Sequence, residues 1–131
     1  MPWVTLDARL TPVRADHVAW DSVVDTFGFT IEDLDTKVYY AGDTTFVEPE
    51  LLNVGGDLDV LIVPVSNRGL VMGVDDAVFF AQKLRPEFVI PVHCDSPKDA
   101  HRNLLVRFRE LAGACGPQPA ILEPGETFTA A

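Results

Sequence analysis

The pattern of hydrophobic and polar positions differs between the first part of the chain and the rest. In the first part, apolar and polar residues alternate, which is typical of strands with one covered face. The pattern predicts one bent strand or two short strands over residues 3–15, and a further strand over 23–32 whose odd-numbered positions share one side. A polar turn over 33–36 then leads to a compact strand over 37–41.

From residue 47 onward, the pattern favours helices that alternate with fully buried strands. The run DVLIVPV at 59–65 is almost continuously apolar, as in a strand covered on both faces. Residues 75–84 form a helical pattern with acids at its start and Lys83 near its end, which suits the helix dipole. The other predicted elements are a short helical piece over 47–52, a strand over 88–92, a helix over 97–111 that stops at Gly113, and a strand–turn–strand tail over 121–130.

This order of elements predicts an α/β fold. Antiparallel strands come first, and a β-helix-β-helix-β succession follows, so we expect a mixed sheet with helices on one side. No linker or composition break divides the chain, which predicts a single domain over residues 1–131.

Charge and cysteine usage exclude several classes of partner. Twenty acidic residues against ten basic ones give a net charge of −10, which leaves no basic surplus for nucleic acid or an anionic membrane. Cys94 and Cys115 form no CxxC pair, and the amino-terminal segment lacks a signal-peptide pattern. We therefore expect a cytoplasmic protein.

Three polar residues are predicted just after apolar strands. His17, Asp43 and His93 would converge on one rim of the sheet, because polar residues past strand ends meet at one edge in layered α/β proteins. Two imidazoles and a carboxylate suit zinc or a similar divalent ion. Each residue taken alone could instead have a structural role. A histidine after a strand is often a hydrogen-bonded structural residue, and a Gly-Asp pair is often a turn.

The segments GFTIEDLDTKVYYAGDTTF and RPEFVIPVHCDSP, in this order and separated by the apolar strand and helix, resemble the metallo-β-lactamase superfamily. The most similar branch is that of metal-dependent hydrolases related to ascorbate-phosphate lactonases. The resemblance implies that Asp43 is the carboxylate that bridges two metals and a catalytic residue. It also implies that His17 and His93 are metal ligands and that zinc is the cofactor.

Four further residues border the site implied by this resemblance. Asn67 and Met72 lie in the loop after the strand at 59–65, and that loop borders the active-site mouth in the resembling branch. Thr44 could bond the Asp43 carboxylate or close its turn. Asp95 could hydrogen-bond a ligand imidazole or cap the following helix.

The superfamily's His-x-His-x-Asp-His motif is missing from the sequence. The resemblance therefore implies one half, the C-terminal half, of a four-layer αββα sandwich, in which the sheet of one half covers the sheet of the other. An uncovered sheet would leave a large apolar patch. We expect a complementary N-terminal half or a second copy of the chain, as a homodimer, to cover it.

Two functions remain open from the sequence. The first is a metal-dependent hydrolase acting on a small molecule, whose dinuclear site is completed by another half. The second is a non-catalytic half-domain that homodimerises and binds a ligand or partner.

Overall fold

The computed structural model describes residues 7–19, 22–66, 70–93 and 98–129, which form a six-stranded mixed sheet and two α-helices. The strands lie in the sheet in their chain order. A 3₁₀ turn over Pro49–Leu51 confirms the short helical piece. The elements are β1 (Arg9–Ala19), β2 (Ser22–Glu32), β3 (Lys37–Tyr40), β4 (Val60–Pro64), α1 (Val74–Leu84), β5 (Phe88–Val92), α2 (Lys98–Ala114) and β6 (Gln118–Pro119).

The sheet is antiparallel at one side and parallel at the other. β1 and β2 form a long hairpin in which Arg9 pairs with Glu32 and Ala19 with Ser22, and β2 pairs with β3 antiparallel. The pairs from β3 to β6 are parallel, as expected for strands joined by long crossover connections. This arrangement confirms the predicted α/β fold with a mixed sheet.

The hydrophobic core lies between the sheet and the two helices. Tyr39, Leu61 and Val89 are neighbours in register and face the helices, where they join a buried cluster with Phe80 of α1 and Phe108 of α2. Burial of each such side chain contributes about 1.5–3 kcal/mol. Both helices therefore lie on one side of the sheet, as predicted.

The opposite face of the sheet is open over β1, β2 and β3. Leu10, Phe27, Ile31 and Tyr40 share this face by register, and they are 59%, 62%, 39% and 39% exposed. Phe27, Phe29 and Ile31 of β2 do lie on one side, as the alternation predicts. We call the surface formed by Leu10, Phe27, Ile31 and Tyr40 the open face.

The carboxyl-terminal tail contacts the same side of the sheet at β5. The Phe128 ring lies 5.0 Å from the ring of Phe88, which points to this side from β5. The tail therefore meets β5 but makes no ring contact with β1–β3 in the described residues. In the described ranges, no helix is long and apolar enough to cross a membrane.

Two predicted strand or helix ends and the predicted strands of the tail are wrong. β1 runs to Ala19 rather than to residue 15, because β2 begins at Ser22 and pairs with it along its whole length. α2 continues through Gly113 to Ala114, and the chain turns at Gly116, which has a φ of 113°. The tail forms its Pro-Gly turn, but β6 lies earlier, over Gln118–Pro119, and residues 121–129 form no strand.

Candidate metal centre

The carboxyl ends of the parallel strands bring Asp43 and His93 to one edge of the sheet. Asp43 follows β3 and His93 follows β5, and these strands flank β4 in parallel. Parallel strands end at the same edge, so loops from non-adjacent strands meet there. The prediction that these two residues share one rim agrees with this topology.

His93 Nε2 lies 3.7 Å from Asp43 Oδ1. This separation is too long for a hydrogen bond. It is close to the roughly 3.4 Å that separates two ligand atoms bound to one tetrahedral zinc ion at bond lengths near 2.0–2.1 Å. The His93 and Asp43 side chains are 32% and 45% exposed, so solvent and small molecules can reach them.

The backbone of His93 is in the left-handed region, with a φ of 63°. A non-glycine residue there costs of the order of 1–3 kcal/mol, and such residues cluster at active sites and ligand clamps. Val65 N–H donates to Val92 O at 2.9 Å, which holds the residue before His93 against the end of β4. The fold thus accepts a strained backbone at the point where the imidazole turns toward Asp43.

The turn that presents Asp43 packs closely against β2. Gly42 has a φ of 71°, and a Cβ added there would lie 2.9 Å from Phe27 O. A Cβ at Gly28 would collide with the carbonyl oxygens of Tyr40 and Ala41. Thr26 Oγ1 donates to Asp43 O at 3.4 Å. Two glycines are therefore required to bring the Asp43 turn this close to β2.

His17 lies within β1 rather than past its end. It pairs with Val24 and shares a side of the strand with buried Val13 and Ala15. His17 itself is half-buried. Among the described residues, no hydrogen bond or ion pair joins His17 to Asp43 or His93.

The residue before His17 is bound to the Asp43 turn. Asp16 N–H donates to Thr44 Oγ1 at 2.9 Å, and Thr45 N–H donates to Asp16 O at 2.8 Å. The Asp16 carboxylate is paired with the Arg14 guanidinium at 2.9 and 3.0 Å, and this pairing raises the pKa of Arg14. Asp16 is thus engaged through both its backbone and its side chain.

The donor set that the structure brings together is one carboxylate and one imidazole. These donors suit a divalent ion such as zinc. Within residues 7–19, 22–66, 70–93 and 98–129, no three His, Cys, Asp or Glu side chains come close enough to hold a metal ion. Catalytic zinc commonly has three protein ligands, so the pair fits part of such a site.

The other predicted site residues have different positions. Thr44 is buried, and its hydroxyl bonds main-chain atoms of Asp16 and Thr45. Met72 is buried in the core, and its N–H donates to Thr44 O at 3.0 Å. Asn67 and Asp95 lie outside the described residues.

Sequence reasoning missed Asp16, Thr26 and Thr45 as supports of the Asp43 turn. All three act through bonds between segments that are far apart in the chain. Two threonines in a row after Gly-Asp were the one local signal that hydroxyl groups stabilise this turn.

Comparison with known proteins identifies the family. Residues 4–93, more than half of the chain, match the beta-lactamase superfamily domain. The chain belongs to this superfamily. It is 32% identical over 127 residues to a UPF0173 metal-dependent hydrolase of Ignicoccus hospitalis, covering 95% of this chain and 52% of that protein. It is 34% identical over 110 residues to a UPF0173 metal-dependent hydrolase of Symbiobacterium thermophilum, covering 78% of this chain and 47% of that protein.

Solved structures show the same fold. The chain superposes on Igni18, a metallo hydrolase of Ignicoccus hospitalis, with a TM-score of 0.74 at 23% identity, covering 93% of this chain and 52% of that one. It superposes on the metallo-beta-lactamase fold protein YhfI of Bacillus subtilis with a TM-score of 0.72 at 16% identity, covering 96% of this chain and 51% of that one. The chain thus has the metallo-β-lactamase fold, and it spans about half the length of the curated relatives that it matches.

Proposed function

We propose that this protein is a metal-dependent hydrolase in which Asp43 and His93 bind a divalent ion. The single observation that supports this most directly is the 3.7 Å approach of Asp43 Oδ1 and His93 Nε2 at the carboxyl edge of the sheet. Relatives described as metal-dependent hydrolases are 32–34% identical to the chain over the matched region. Zinc suits a carboxylate and an imidazole as donors.

The chemistry divides between the ion and the protein groups. A divalent ion, when bound, supplies Lewis-acid activation of water and of a carbonyl or phosphoryl oxygen at neutral pH. His93 would contribute its imidazole nitrogen Nε2 as a ligand. Asp43 would contribute Oδ1, and its second oxygen would orient a nucleophile or accept its proton. The half-exposed position of both side chains gives a substrate access to them.

Further donors are needed, and we propose two sources. His17 is the first, because its strand is bonded to the Asp43 turn. The second is a complementary N-terminal half or another copy of this chain placed on the open face. An added half is consistent with relatives about twice as long as the matched region.

A second candidate is a non-catalytic half-domain that homodimerises. The open face favours it, because four large apolar side chains are 39–62% exposed there. Exposed apolar patches of this kind mark association surfaces. In this case the Asp43–His93 pair is a remnant of the fold rather than a working site.

An activity assay with Asp43→Ala tests the hydrolase. Purified protein is incubated with Zn²⁺ or Mn²⁺ and a panel of chromogenic esters, lactones and phosphodiesters, with and without a chelator. We expect metal-dependent turnover by the unaltered protein and none by Asp43→Ala, because the variant loses a ligand and a proton acceptor. The control is Asp35→Ala, in the exposed turn between β2 and β3.

Two outcomes would count against the proposal. Turnover that survives Asp43→Ala would show that the activity arises elsewhere. An unaltered protein that turns over no member of the panel, and that forms a stable dimer without metal, would favour the non-catalytic half-domain.

A further inference from the structure

Thr44 connects the Asp43 turn to β1 through its side chain. The residue is 3% exposed. Its Oγ1 accepts a hydrogen bond from Asp16 N–H at 2.9 Å and donates one to Thr45 O at 2.7 Å. A buried hydroxyl with both its donor and an acceptor position in use is fixed in orientation.

The backbone on either side of Thr44 reinforces this connection. Thr45 N–H and Thr45 Oγ1 both donate to Asp16 O, at 2.8 and 3.0 Å. Met72 N–H donates to Thr44 O at 3.0 Å, and Ser66 N–H donates to Met72 O at 2.9 Å. The Asp43 turn is therefore tied both to β1 and to the segment that follows β4.

These bonds connect residues adjacent to two of the predicted ligands. Thr44 directly follows Asp43, and Asp16 directly precedes His17. The hydrogen bond from Asp16 N–H to Thr44 Oγ1 thus fixes the position of β1 at His17 relative to the Asp43 turn. Among the strands that the structure describes, β1 neighbours β2 alone, so this contact with the turn is an additional constraint on β1.

We propose that Thr44 is a positioning residue that sets the location of His17 relative to Asp43 and so preorganises the divalent-metal site. The inference rests on the proposed function, since it assumes that these residues serve a metal. Thr44 acts through the main chain of Asp16 and not by touching the ion. Groups that orient metal ligands typically change metal affinity 10- to 100-fold when they are removed.

Substitutions at Thr44 separate its hydroxyl from its shape. Thr44→Val keeps the volume but leaves the Asp16 amide without its acceptor, whereas Thr44→Ser keeps the hydroxyl and loses one methyl group. Thr30→Val is the matched control, because Thr30 is also buried, at 2% exposure, but lies near the end of β2, where it pairs with Tyr39.

The first readout is Zn²⁺ affinity, measured by competition with a chromophoric chelator. We expect Thr44→Val to weaken Zn²⁺ binding by about 10- to 100-fold. Thr44→Ser and Thr30→Val should both bind Zn²⁺ with the affinity of the unaltered protein. Equal affinity of Thr44→Val and the unaltered protein would overturn the proposal. Thr44→Ser as weak as Thr44→Val would also overturn it, because the methyl group rather than the hydroxyl would then matter.

The second readout needs no metal. Amide hydrogen exchange should be faster at Asp16 in Thr44→Val than in the unaltered protein, while amides of β4 keep their protection. Unchanged exchange at Asp16 would refute the positioning role whatever the zinc result. If the unaltered protein binds no Zn²⁺, the proposed function fails, and the exchange experiment still decides whether Thr44 holds β1.

A milder variant covers the case in which Thr44→Val does not fold. Thr45→Val removes one of the two hydrogen bonds to Asp16 O and leaves the Thr45 N–H bond in place. We expect a smaller loss of zinc affinity in the same direction, together with faster exchange at Thr45. No change in either quantity would contradict the proposal.

Discussion

Tyr39 and Tyr40 are adjacent in β3, but their side chains meet opposite environments. Tyr39 is fully buried against Phe80, with the ring centroids 6.1 Å apart, whereas Tyr40 is 39% exposed on the open face. Within the described part of the chain, the Tyr39 hydroxyl has no hydrogen-bond partner. A buried polar group without a partner costs about 1–3 kcal/mol.

We predict that Tyr39→Phe stabilises the protein by about 1 kcal/mol, because it removes an unpaired buried hydroxyl. Burial also raises the pKa of Tyr39 above its ordinary value of 10.0. The unfolded chain therefore loses this proton at a lower pH than the folded chain, and the stability tied to it falls as pH rises above about 10.

Denaturant unfolding at pH 7 and above pH 10 tests both parts of this prediction. Tyr39→Phe should be more stable than the unaltered protein at pH 7 and should lose less stability at high pH. Tyr40→Phe is the control and should show neither effect. Destabilisation by Tyr39→Phe would mean that the hydroxyl has a partner.

The individual site residues differed in how far the sequence could predict their positions. Asp43 and His93 follow short apolar strands, so their place at a strand end can be read locally, and the structure brings them together. His17 was predicted to follow a strand that ended too early. Its true position depends on pairing with Val24 in β2, and that register is a property of two strands together.

The hairpin of β1 and β2 and the turn after β3 form a unit that depends on glycine. Gly28 lies in β2 where an added Cβ would collide with the Tyr40 and Ala41 carbonyl oxygens. Gly42, with a φ of 71°, makes the matching approach to Phe27 O from the turn. This close contact of backbones sets where Asp43 emerges.

We predict that Gly28→Ala destabilises the protein by about 1–3 kcal/mol, since the added methyl group must displace backbone rather than a flexible side chain. It should also weaken zinc binding, because the Asp43 turn is pushed away from β2. Thermal or denaturant unfolding and zinc titration measure the two effects.

Gly56→Ala is the control, because a Cβ there meets nothing within 4 Å. A Gly28→Ala protein as stable as Gly56→Ala, with unchanged zinc affinity, would contradict this view of the turn.

Whole elements were predicted well where the pattern was strong. The apolar runs predicted β4 and β5. The acidic residues at the start of α1 and Pro86 after its end predicted the bounds of this helix to within one residue. α2 passed its predicted stop because Gly113 was tolerated within the helix and Gly116 provided the left-handed turn. The tail was wrong because β6 is only two residues long and is defined by pairing with β5.

For the molecule as a whole, the open face is the feature that most requires a partner. One side of the sheet has a closed core with α1 and α2, while β1–β3 leave Leu10, Phe27, Ile31 and Tyr40 partly exposed on the other. The sequence could predict this asymmetry, because the half-fold resemblance implies a sheet with one uncovered side. It could not identify the partner, since apolar surface alone has little specificity.

We predict that a second copy covers the open face when no other half is supplied, and that Phe27→Lys weakens this association. Phe27 is 62% exposed in that face, and a buried charge there would lack a partner. Sedimentation velocity over a concentration series should show dimers of the unaltered protein and monomers of Phe27→Lys.

Leu34→Lys is the control, because Leu34 is 96% exposed in the turn after β2 and is not one of the four residues of the open face. It should dimerise like the unaltered protein. Unaltered protein that stays monomeric at high concentration would contradict the prediction, and equal loss of dimer in both variants would point to a general charge effect.

The central claim is that Asp43 and His93 bind a divalent ion, and metal analysis tests it most directly. The protein is loaded with Zn²⁺, dialysed to remove loosely held ion, and analysed for zinc per chain, beside Asp43→Asn and the exposed Asp35→Asn control. We predict at least about one ion per chain in the unaltered protein and in Asp35→Asn, and loss of zinc in Asp43→Asn, because the amide is a much poorer ligand than the carboxylate. Essentially no zinc in the unaltered protein, or the same zinc content in Asp43→Asn, would contradict the claim.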